Sequence, residues 1–87
     1  CFNDGIAVSV LQKTQAVGIR VPDDLHITGF DNSPILQLVT PRIATMSLPV
    51  YDIGRQAGKW IQHRVIDRNT QSMQEYLNSN YYPGDSI

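Results

Sequence analysis

The feature that most restricts the fold is a capped helical pattern followed directly by a short apolar run. Asn3 and Asp4 stand where an N-cap belongs, and Gly18 stands where the left-handed cap after a helix belongs. Between them Ile6, Ala7, Val10, Leu11 and Val17 keep spacings compatible with one face of a 3.6-residue period, which predicts a helix from Gly5 to Val17. The segment GIRVPDD turns the chain back: Pro22 denies Val21 a helical backbone, and Ile19 and Val21 can pack toward the helix. LHITGF then predicts a strand ending at Phe30, too apolar for a surface hairpin and with no hairpin turn beside it. Helix, loop and strand in that order form the second half of a βαβ crossover, with Cys1 and Phe2 as the stub of the first strand. The implied class is α/β with a parallel sheet. CFND reads as the end of a buried strand whose beginning is missing, so a fragment of a larger domain is expected.

Farther along, Ser33 before Pro34 predicts an N-cap with proline at the first helical position, opening a short helix through Val39 that Pro41 ends. RIATMSL is extended in character. Pro49 opens a second long helix in the same way, with Val50, Ile53, Ala57, Trp60, Ile61 and Val65 on its apolar face and Arg55, Lys59 and Arg64 toward water. Gly54, Ala57 and Gly58 are small and suit close approach to a support. DRNTQSMQ is a polar connection, and EYLNSNYYPGDSI a weakly patterned tail ending in a Pro-Gly turn.

With 87 residues the chain has room for one small core at most, and its 41% apolar and 17% charged content is that of ordinary globular protein. The net charge of −1 comes from scattered acids and bases, so nothing in these residues forms an electrostatic footprint for nucleic acid or an anionic membrane. No window approaches a membrane span, and the start carries no basic-then-apolar signal. Cys1 is the single cysteine, which suits a reducing compartment, and its place on an apolar strand end reads as packing.

In parallel α/β sheets ligands gather beyond the carboxyl ends of the strands. Two polar pairs fall there, Asn3-Asp4 after the stub and Asp31-Asn32 after HITGF, and both face one cleft if the two strands are neighbours. A carboxylate accepts through two oxygens while an amide donates and accepts, a combination suited to a sugar, nucleoside or polyol. Simple helix capping also accounts for Asn3-Asp4, and less well for Asp31, because Ser33 is the better placed cap. Catalytic and metal readings are poorer. His26 and His63 have no cysteine or acidic partner at metal-ligand spacing, Ser9, Ser33 and Ser47 lack a G-x-S-x-G context, and no glycine-rich phosphate loop occurs. His26 reads as a packed or edge residue, His63 as a solvent-side residue, and Trp60 as core or interface. A small α/β enzyme remains the reading from another class.

The N-D pair after a strand, the helix closed by GIRVPDD, the segment GFDNSP, TPRIATM with a proline-led continuation, and IGRQA in the next helix occur in the order found in the C-terminal part of LacI/GalR-type transcriptional regulators, which the chain resembles over nearly its whole length. The resemblance implies a type I periplasmic-binding-protein-like sensor, of two α/β subdomains with a small sugar-like or nucleoside-like effector between them. Cys1 to Met46 and about Tyr76 to Ile87 would then belong to the C-terminal subdomain, and about Val50 to Glu75 to the N-terminal one. It implies effector contacts at Asn3 and Asp31, with Val50 also lining the pocket. It implies a homodimer contact made by the helix from Gly5 and the segment from Ile35 to Pro41, with Val8, Leu11, Leu38 and Val39 as its apolar residues. Operator DNA would be bound through an N-terminal helix-turn-helix outside this chain, in a cytoplasmic protein without cofactor, metal or catalytic residues. A periplasmic sugar-binding protein of an uptake system shares the fold and is the alternative. One departure is that the first threonine of the family's usual T-T pair is Ala44, while the second is kept as Thr45.

Overall fold

A computed structural model describes every residue from Cys1 to Ile87. The elements in chain order are helix α1 (Asp4–Ala16), a 3-10 helix (Pro34–Leu38), strand β1 (Thr45–Ser47), helix α2 (Val50–Val65) and strand β2 (Asn80–Tyr82). They fall into two compact units, one formed by Cys1–Ser47 with Asn80–Ile87 and the other by Leu48–Ser79.

Helix α1 begins and ends where its caps predict. Asn3 Oδ1 accepts from Ile6 N at 2.8 Å, and Gly18 takes φ +80, so that Ile19 N reaches back to Thr14 O at 2.9 Å. Its buried stripe is rotated from the one expected: Asp4, Ala7, Val8, Leu11 and Thr14 point inward, whereas Ile6 and Val17 are exposed. Two polar residues can join the stripe because each is satisfied; Thr14 Oγ1 donates to Leu11 O at 2.8 Å, and Asp4 is bonded from two other segments. The stripe packs on Ile27, Leu36 and Ile43, with Val10, Val21 and Val39 at the margin. Burying Leu11 and Ile43 completely contributes about 1.5–3 kcal/mol each.

The LHITGF segment lies between two neighbours, as a crossover requires. On one edge the Cys1 amino group and Asp4 N donate to Thr28 O (2.6 Å) and Phe30 O (2.9 Å). On the other, Gly29 N and Asp31 N donate to Ala44 O (2.8 Å) and Met46 O (2.7 Å). It is nevertheless no continuous strand; only a parallel bridge, Thr28 with Ala44, is formed. At that bridge the buried Ser86 hydroxyl also links the two segments, accepting from Ala44 N (2.9 Å) and donating to Ile27 O (2.5 Å). The sheet is also mixed rather than purely parallel, because the tail returns as β2, antiparallel to β1. Gly84 makes this return possible: a Cβ there would stand 2.3 Å from Arg42 O and 2.6 Å from Ala44 N.

Other expectations change as well. Cys1 and Phe2 are exposed rather than packed. Pro49 takes the N-cap position of α2, one place before the first helical turn, and no residue of α2 is buried. Nothing lies within 4 Å of where a Cβ would stand on Gly54 or Gly58, so these small residues serve no close approach within the chain. None of the helices is long and apolar enough to cross a membrane.

Candidate functional site

Beyond Phe30 three successive backbone N–H groups are each held by a different acceptor. Asp31 N donates to Met46 O (2.7 Å), Asn32 N to Thr45 Oγ1 (3.3 Å), and Ser33 N to Asp4 Oδ2 (2.6 Å). Across this stretch the backbone takes positive φ at two adjacent non-glycine residues, +109 at Asp31 and +57 at Asn32. Such conformations cost of order 1–3 kcal/mol each and persist where surrounding bonds enforce them. Asp and Asn tolerate them better than branched residues do.

Asp31 itself is exposed, and its carboxylate accepts no hydrogen bond from the chain. Asn3 is half-buried and directly precedes Asp4, whose N–H meets Phe30 O, the carbonyl directly preceding Asp31. The structure therefore brings Asn3 and Asp31 to the same end of adjacent segments. Capping occupies Asn3 Oδ1 and leaves its amide N–H groups as donors. An acceptor-only carboxylate and an amide with spare donors are the two kinds of group that a hydroxyl needs.

Val50 is the first residue of α2, in the other unit, and is exposed. Of the four residues expected at a dimer contact, Val8 and Leu11 are buried in the chain's own core and are not available to a partner. Leu38 is 82% exposed, and Val39 lies at the core margin. Ser33 holds the N-cap position of the 3-10 helix but makes no side-chain cap bond, because the segment is fixed instead through its N–H by Asp4. That helix ends at Leu38 rather than Val39.

Sequence reasoning named Asp4 only as half of a cap or cleft pair and Thr45 only as a kept motif residue, and missed that the two together organise this end of the sheet. Asp4 stands three and seven residues before Ala7 and Leu11, so the helical period alone places it on the inward stripe. His63 also has an acidic partner that the spacing argument overlooked, Asp67 Oδ2 at 2.7 Å from Nδ1, in an exposed i,i+4 pair. Trp60 is half-buried, with the Arg64 guanidinium 5.3 Å from its ring centroid. In the return loop Arg20 grips Asp24 through Nε and a terminal nitrogen at 3.0 and 2.9 Å, which holds the Asp24 carboxyl below its ordinary range.

Comparison with known proteins places the chain in a family. Over 55 residues the chain is 44% identical to the NTD biosynthesis operon regulator NtdR of Bacillus subtilis (strain 168), an alignment covering 63% of the chain and 17% of that protein. The solved transcriptional regulator CelR in complex with cellobiose superposes with a TM-score of 0.88 at 22% identity, covering 99% of this chain and 26% of that one. A LacI family transcriptional regulator from Arthrobacter sp. FB24, in complex with lactose, gives 0.76 at 30% identity over 98% of this chain and 32% of that one. The chain spans between 17% and 26% of the length of the curated relatives compared. The fold is that of LacI-type effector-binding domains, as the motif order implied. A periplasmic binding protein-like domain model matches residues 1–87, the whole of the sequence, and the chain belongs to that family.

Proposed function

We propose that this chain is the effector-sensing and dimerisation part of a LacI/GalR-type DNA-binding regulator. The observation that carries the reading is Asp31: an exposed carboxylate, unbonded within the chain, presented at positive φ at the carboxyl end of a central segment beside Asn3. Its ligand is a small polyhydroxylated molecule, sugar-like or nucleoside-like, with hydroxyls that donate to Asp31 and accept from the Asn3 amide. Val50 is kept as a further candidate contact, on the family resemblance alone. Relatives that are regulators, two of them solved with a disaccharide, support this over an uptake protein or an enzyme.

The unit of Cys1–Ser47 with Asn80–Ile87 is then the C-terminal subdomain, and Leu48–Ser79 a segment of the N-terminal one. Ligand bound at Asp31 and Asn3 favours one of two states of the regulator, and a homodimer using Leu38 and Val39 passes that preference to operator-binding segments outside these residues. Such a protein works in the cytoplasm.

The test is Asp31→Ala in the full-length protein, titrated calorimetrically with cellobiose, lactose, sucrose and ribose. Loss of a hydrogen bond to a charged acceptor weakens binding by about 1.5–3 kcal/mol, at least tenfold. Unchanged affinity for a saccharide that binds the unsubstituted protein refutes the assignment.

A further inference from the structure

Asp4 is fully buried, and no cation stands within ion-pair distance of it. A carboxylate so placed is tolerated only when its oxygens are taken by donors. Here Oδ2 accepts from Ser33 N at 2.6 Å and Oδ1 from Thr45 Oγ1 at 2.7 Å, while Asp4 N donates to Phe30 O at 2.9 Å. The Thr45 hydroxyl has one proton; it donates that proton to Asp4 Oδ1 and accepts from Asn32 N through a lone pair. Asp4 thus brackets the two positive-φ residues, directly at Ser33, through Thr45 at Asn32, and by its own N–H at Phe30. Gly29 confirms how tightly the carboxylate is seated, since a Cβ there would lie 2.1 Å from Oδ1.

We propose that Asp4 is a positioning residue for ligand recognition: it touches no ligand but holds Asp31 and Asn32 in the left-handed conformation that leaves the Asp31 carboxylate free and outward. The inference rests on the reading of Asp31 as a ligand contact. A purely structural Asp4 would affect folding stability and leave the affinity of the folded protein unchanged. A positioning Asp4 affects affinity in the folded protein, through the 31–33 backbone.

The decisive variant is Asp4→Asn in the full-length protein. It keeps the shape but turns an N–H group toward one of two donors. With the protein folded by circular dichroism, affinity for the tightest binder among cellobiose, lactose, sucrose and ribose should fall about tenfold or more. Amide exchange at Asn32 and Ser33 should quicken by a similar factor while residues 7–11 keep their protection. Thr45→Val should lose the same affinity, and Thr45→Ser, which restores the hydroxyl, should recover it. Asp4→Asn binding within about twofold of the unsubstituted protein overturns the proposal, as does an exchange increase spread evenly over the unit. If Asp4→Asn does not fold, the Thr45 pair decides by the same criteria. Normal binding by Asp31→Ala refutes the contact reading, whereas loss of binding there with normal binding by Asp4→Asn refutes only the positioning role. Should none of the four sugars bind, the saccharide reading fails and the exchange pattern alone judges Asp4.

Discussion

Replacing Ser86 by alanine removes a single oxygen and separates two backbones that it joins. Ser86 Oγ donates to Ile27 O and accepts from Ala44 N, and all three residues are buried, with 0%, 3% and 0% exposure. Alanine keeps the Cβ and opens no cavity larger than that oxygen, so the hydrophobic contribution is nearly unchanged. What is lost is the partner of one buried acceptor and one buried donor, at about 1–3 kcal/mol each. The two orphans belong to segments already joined at the Thr28–Ala44 bridge, and a full bond between them requires those segments to draw closer. Two contacts resist closure: Gly84, already against the backbone of Arg42 and Ala44, and the bond from Ile27 N to Ser86 O at 2.9 Å. The expected loss is therefore about 2–4 kcal/mol in urea unfolding of the full-length protein, with an unchanged slope on denaturant. Amide exchange should show Ala44 losing protection first. A loss below about 0.5 kcal/mol with Ala44 still protected would refute the reasoning, because the two backbone groups would then be pairing directly.

The remaining predictions concern charge and assembly. Because the Arg20 side chain lowers the folded-state value of Asp24, the pair stabilises fully above the unfolded aspartate value of about 3.9 and fades as pH falls through the lower folded value. Carboxyl NMR should place the Asp24 midpoint below that value and return it there in Arg20→Ala; a midpoint at or above it in the unsubstituted protein contradicts the pairing. Leu38→Asp puts a charge on a side chain that is 82% exposed, so it should change stability by less than about 0.5 kcal/mol while shifting the full-length protein toward monomer in sedimentation. An unshifted dimer removes Leu38 from the interface.

What the sequence made legible was local. Asn3 and Gly18 mark the ends of α1 because capping involves residues within a turn of one another, and the βαβ reading followed from the order of elements. The inward stripe was misplaced because Asp4 and Thr14 are polar and are buried only by virtue of their partners. For Asp4 those partners are Ser33 and Thr45, 29 and 41 positions away, separations at which no local pattern forms. The Ser86 link was illegible for the same reason, since Ser86 is 59 residues from Ile27. At the site, the residue types of Asn3 and Asp31 suggested ligand contact, while the positive φ that frees Asp31 from the capping role was invisible in them. Ser33 was expected to supply that freedom as a side-chain cap, and its N–H supplies it instead.

In the β1–β2 pairing the last residue of β1, Ser47, lies opposite the first residue of β2, Asn80. The chain therefore departs for Leu48–Ser79 and comes home across one rung, with its two ends about 4.5–5.5 Å apart. Topologically the second unit is a guest spliced into a hairpin. The host's register is set by the β1–β2 pairs themselves, as in domain insertions whose termini are close together. A two-residue Asn-Gly turn would close the same hairpin. The loop-closure entropy of the excursion is met by pairing that the host sheet makes anyway.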